Sequence, residues 1–166
     1  MAETFDAGRL GAEPRERWAE LHEQIRSVVA GEPSRTARYA TAACMIKQAM
    51  GPRFFWVGFY VVDPDSPREL VVGPYQGTLG CLRIAFGRGV CGTAAAEDRT
   101  VRVPDVHAFP GHIACDAASR SELVVPVHAP GGSLAAVLDV DSAEPDAFDA
   151  VDQAGLEAIC ADLLTL

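Results

Sequence analysis

The sequence predicts an α/β domain of the α+β kind: about six antiparallel strands in one sheet, flanked by helices from the two chain ends. Three observations predict it. Two helical stretches come first, with apolar residues spaced three and four apart. A run of short β-branched and aromatic segments follows, joined by hairpin-length turns. One more helical stretch closes the chain. Strands do not alternate with helices, so a doubly wound parallel sheet is not expected.

Residues 1–13 carry few apolar anchors and are expected to fray, leaving 14–166 as a single domain. Over 14–30, Trp18, Leu21, Ile25 and Val28 or Val29 form one stripe. Gly31 and Pro33 break that helix. Ser34 is placed to cap a second, with Tyr39, Ala43, Ile46 and Met50 inward, ending at Gly51 and Pro52. Phe54 to Val62 reads as a strand, Glu69 to Val72 as its hairpin partner and Cys81 to Phe86 as a third. Val90 to Glu97 is a short helix, and Val101 to Val103 a brief strand. Residues 104–120 have no period, and a loop that long inside a compact domain is usually functional. Ser121 to His128 and Ser133 to Val140 form a hairpin about residues 129–132. A last helix is expected from Phe148 to Leu164.

Lys and Arg number 14 against 23 Asp and Glu, a formal charge of −9. An acidic chain repels phosphate backbones and anionic bilayers, so neither nucleic acid nor a membrane is an expected partner. No stretch approaches the roughly 20 apolar residues of a membrane span. The polar N-terminus lacks the features of a secretory leader, so a cytoplasmic location is expected, where thiols are kept reduced.

Residues 87–92 spell G-x-G-x-x-G after a strand and before a helix. The helix is too short and its surroundings are wrong for a dinucleotide site, so the pattern reads as a tight turn into a helix. Five cysteines form no C-x-x-C pair. Cys44 and Cys160 fall within helices and read as core. Cys81, Cys91 and Cys115 fall in or beside Gly-rich or loop backbone, either as reactive thiols or as half-buried spectators. With His107 and His112 they offer metal-ligand types, but their spacing matches no usual zinc pattern, and no metal is expected. Asp139 and Asp141, two apart on a strand, share a face. The hairpin register brings Glu122 to them. Three clustered carboxyls cannot all ionise cheaply, so at least one pKa is expected to rise.

The runs GRGVCGTAAAE, VPDVHAFPGHIACDAASRSELVVPV and LDVDS, with WVGFYVV and ELVVGPYQG upstream, resemble the free methionine-(R)-sulfoxide reductases. These are stand-alone GAF-domain enzymes. The resemblance runs from about Ala37 to Leu164, and only GTLG, before Cys81, is less typical. It implies a GAF-like sheet of six antiparallel strands between helices, and reduction of free methionine-(R)-sulfoxide. Residue by residue, it implies Cys115 as nucleophile, and Cys81 and Cys91 as the further redox cysteines. Glu122, Asp139 and Asp141 become the acids of the substrate site, and Trp56 and Tyr60 an aromatic wall for the substrate methyl. Cys115 would pass through a sulfenic acid to a disulfide with Cys81 or Cys91, recycled by a thioredoxin-type reductant. No cofactor is implied, and a homodimer is. The competing class is a ligand-binding regulatory GAF module without catalysis.

Overall fold

The computed structural model describes residues 5–113 and 115–164. Residues 1–4, part of the stretch expected to fray, lie outside it, as do Ala114 and residues 165–166. Helices α1 (Pro14–Val29) and α2 (Arg35–Met50) lead into strands β1 (Trp56–Val62), β2 (Glu69–Gln76) and β3 (Arg83–Ala85). Helix α3 (Gly89–Glu97), strands β4 (Val101–Val103), β5 (Ser121–His128) and β6 (Leu134–Ser142), and helix α4 (Ala150–Asp162) follow. The six strands form one antiparallel sheet in the order β3-β2-β1-β6-β5-β4.

Strand alternation divides the sheet between two tasks. Val57 and Phe59 of β1, Leu123, Val125 and Val127 of β5, and Ala136, Leu138 and Val140 of β6 face α1, α2 and α4, where the larger core sits. The alternate residues, Trp56, Tyr60, Val124 and Val137, face α3 and the loops. The α1 stripe of Trp18, Leu21, Ile25 and Val29 is buried. Trp18 also donates its indole N–H to Asp152 at 3.1 Å. That carboxylate holds the start of α4 in a capping box with Asp149 and pairs with Arg53. Ahead of α1, residues 5–13 are better anchored than their composition suggests, because Leu10 is buried.

Several elements differ from expectation at their ends. β2 runs on to Gln76, because Gly73 and Pro74 fall where the register slips between Gly58↔Tyr75 and Tyr60↔Val72. A bulge needs no ladder N–H there, so the proline does not end the strand. β1 starts at Trp56 and β6 at Leu134, running on to Ser142. β3 keeps only three residues, and Cys81 stands outside it. α4 starts two residues after Phe148 because Asp149 caps it. Cys160 is buried as expected, whereas Cys44 is only half-buried, beside the Gln48 amide.

The residue 87–92 turn is structural. Gly87 and Gly89 have φ +81° and +61°. A Cβ on Gly92 would stand 2.3 Å from the Ala85 carbonyl oxygen, so α3 packs on β3 only without one. The long loop between β4 and β5 is pinned at its base, where Val106 N–H donates to Arg120 O at 2.9 Å.

Candidate active site

The α3 face of the sheet ends in a cleft enclosing about 480 Å³, its open mouth included. Its floor follows from register. Trp56 stands opposite Asp141, and Asp141 opposite Glu122, on three adjacent strands. One step along, Gly58 stands opposite Asp139, and Asp139 opposite Val124. The hairpin thus brings all three acids together, as its expected register requires.

Trp56 and Tyr60 form the wall, stacked with ring centres 5.7 Å apart. Sequence reasoning missed Tyr75, which stacks on the Trp56 indole at 5.2 Å. Tyr75 lies across from Gly58, beyond the bulge in β2, so its place beside Trp56 could not be read from the sequence. A Cβ on Gly58 would come within 2.5 Å of the indole ring and 2.3 Å of Tyr75 Cβ, so the glycine is what lets the two rings close over β1.

Cys91 sits in the first turn of α3 with its thiol turned onto the acids. It donates to Glu122 Oε1 with the sulfur 3.6 Å away. Cys91 Sγ and one oxygen each of Glu122 and Asp139 lie within 4.8 Å of one another. Cys81 and Cys115 come from opposite loops and form a disulfide at the cleft, their Cα atoms 5.1 Å apart. Of the five candidate metal ligands noted in the sequence, Cys81 and Cys115 are joined in the disulfide, and Cys91 stands against Glu122 and Asp139.

Burial first, and mutual repulsion second, push the Glu122 and Asp139 carboxyls well above their usual range. Burial raises Asp141 to about 7, with Asp116 adding to the rise and the Ser119 hydroxyl, 2.6 Å away, opposing it. Burial also pushes the Cys91 and Tyr60 groups up, and the acids reinforce both shifts. Cys91 is thus a neutral thiol that donates. Asp139 Oδ1 is buried with no hydrogen-bond partner among the described residues. An unpaired buried carboxyl oxygen beside two further acids is a socket for a hydrogen-bond donor. The N-terminus of α3 also lines the cleft, through Gly89 and Val90, and its backbone N–H groups favour an anion. The cleft thus gathers buried carboxyls, a helix N-terminus, the Trp56–Tyr60 wall and the Cys81–Cys115 disulfide, a set that suits a small zwitterion.

A helix-flanked antiparallel sheet that carries its site on the face opposite the terminal helices is the GAF architecture. The chain belongs to the GAF-domain family, whose model matches residues 35–164. It is similar to the free methionine-R-sulfoxide reductase of Escherichia coli, 41% identical over 89% of this chain and 87% of that one. The GAF domain-containing protein A of Dictyostelium discoideum is 43% identical over 96% of each. The X-ray structure of free methionine-R-sulfoxide reductase from Neisseria meningitidis, in complex with its substrate, superposes with a TM-score of 0.89 at 44% identity. It covers 99% of this chain and 93% of that one.

Proposed function

We propose that this protein reduces free L-methionine-(R)-sulfoxide to L-methionine. The observation that carries the reading is a disulfide at the cleft, standing over three carboxyls held short of full ionisation. The similarity to reductases of that name supports it. Trp56 and Tyr60 hold the substrate methyl and side chain. The acids take the ammonium and the sulfoxide oxygen, and the α3 N-terminus takes the carboxylate.

The thiolate of Cys115 attacks the sulfoxide sulfur, while a proton from the cluster reaches the oxygen. Methionine leaves, and Cys115 remains as a sulfenic acid. Cys81 then forms the disulfide with Cys115, and water leaves. A thioredoxin-type dithiol reopens that bond by exchange. Cys91 stays protonated and donates to Glu122. No step calls on a metal or a cofactor. No helix among the described residues is long and apolar enough to cross a membrane, and the reductant chemistry suits a cytoplasmic setting.

The test is thioredoxin-coupled NADPH oxidation with free methionine-(R)-sulfoxide, its S epimer and the N-acetylated R compound. The R form should be consumed, the S form ignored, and the acetylated form strongly disfavoured because it has lost its ammonium. Equal rates on the acetylated compound would overturn the zwitterion pocket, and a preference for S would overturn the assignment.

A further inference from the structure

The two loops that carry the disulfide are joined a second time, without sulfur. Thr78, three residues before Cys81, donates its hydroxyl to Asp116, the residue after Cys115. The same carboxylate accepts from Ala118 N–H at 2.7 Å, so it is fixed within its own loop. On the other side, the Thr78 carbonyl accepts the Trp56 indole N–H at 3.0 Å. The turn around Thr78 lies tight against β1: a Cβ on Gly77 would meet the Phe55 carbonyl at 2.7 Å, and one on Gly80 would meet the Tyr60 hydroxyl at 2.8 Å. The segment is thus held on the aromatic wall by its backbone and reaches the Cys115 loop by one side chain.

We infer that Thr78 is a positioning residue for disulfide formation: its bond to Asp116 keeps Cys81 within reach of Cys115 when the two sulfurs are not joined. This rests on the sulfoxide-reductase reading for the step it serves. In that step the Cys81 thiol attacks the sulfenic sulfur of Cys115. The S–S bond forms, the S–O bond breaks, and the hydroxyl leaves as water with the thiol proton. The Cys81 sulfur is oxidised and the Cys115 sulfur reduced. A tether made by an adjoining side chain shortens the search without touching the reacting atoms.

Two measurements on the full chain test it, in wild type, Thr78→Val and Thr78→Ser. The first equilibrates the Cys81–Cys115 pair with oxidised and reduced glutathione, where two thiols reduce one glutathione disulfide. This arm needs no sulfoxide chemistry. Thr78→Val should lower the equilibrium constant for forming the protein disulfide about fivefold, the share expected of one solvent-facing bond to a charged group. Thr78→Ser, which keeps the hydroxyl, should restore it. The second mixes reduced protein with free methionine-(R)-sulfoxide and follows methionine release and dimedone-trapped sulfenic acid. Release should match wild type in Thr78→Val, while the trapped Cys115 sulfenic acid persists longer. An unchanged glutathione constant in Thr78→Val overturns the inference, and so does a serine variant as impaired as the valine. A shifted constant without methionine release in any variant upholds the tether and overturns the sulfoxide reading.

Discussion

Asp141→Asn should make the protein more heat-stable at pH 8 while lowering its turnover. Asparagine keeps the shape of the side chain and a partner for the Ser119 hydroxyl, now 2.6 Å from Asp141 Oδ1. What it removes is a charge that the fold resists. Asp141 is raised from 3.8 to about 7, chiefly by burial. Between those two values the folded chain holds a proton that the unfolded chain has released. Stability therefore falls as pH rises from about 4 and levels off above about 7. A rise of that size corresponds to about 4 kcal/mol. Glu122 and Asp139 share the protons of the cluster, so about half of it, near 2 kcal/mol, is expected as the gain at pH 8. In a domain of this size that is about 4–8 °C in Tm. Thermal melts of both proteins from pH 4 to pH 8.5 at fixed ionic strength check it. The gap should open with pH, flatten above neutrality and shrink to little at pH 4. A gap independent of pH, or a wild type more stable at pH 8, would refute the reasoning.

Cys115→Ser should cut turnover by at least about two orders of magnitude, since a hydroxyl cannot replace the thiolate nucleophile; the coupled assay reads it directly. Cys81→Ser should still release one methionine per chain in a stopped single turnover, then stall, with no disulfide on non-reducing mass analysis. Gly58→Ala should cost about 1–3 kcal/mol in denaturant unfolding and raise KM, because the new Cβ drives the Trp56 and Tyr75 rings apart. Glu122→Gln should lower kcat more than it lowers Tm, since it removes a proton source while relieving a buried acid.

The layout of the sheet was legible because alternation and turn residues are local signals. The meeting of Glu122 with Asp141 followed from hairpin length alone. The end of β2 was not legible, because Gly73-Pro74 reads as a stop, and only the pairing with β1 reveals a bulge. Nor was the role of Asp152, whose partners Trp18 and Arg53 are far away in sequence. The pairing of Cys81 with Cys115 across 34 positions depends on where two aperiodic loops rest. Spacing carries no information about that. Cys91 looked equivalent to Cys81 in sequence, and only its burial against Glu122 and Asp139 sets it apart.

The bond between Cys81 and Cys115 closes a ring spanning 34 positions. A ring of that length withholds from the unfolded chain freedom worth about 4 kcal/mol. Every turnover that makes the bond hardens the molecule, and every reduction softens it. Durability thus alternates with oxidation state in a single polypeptide. The oxidised form is accordingly expected to be the more heat-resistant of the two.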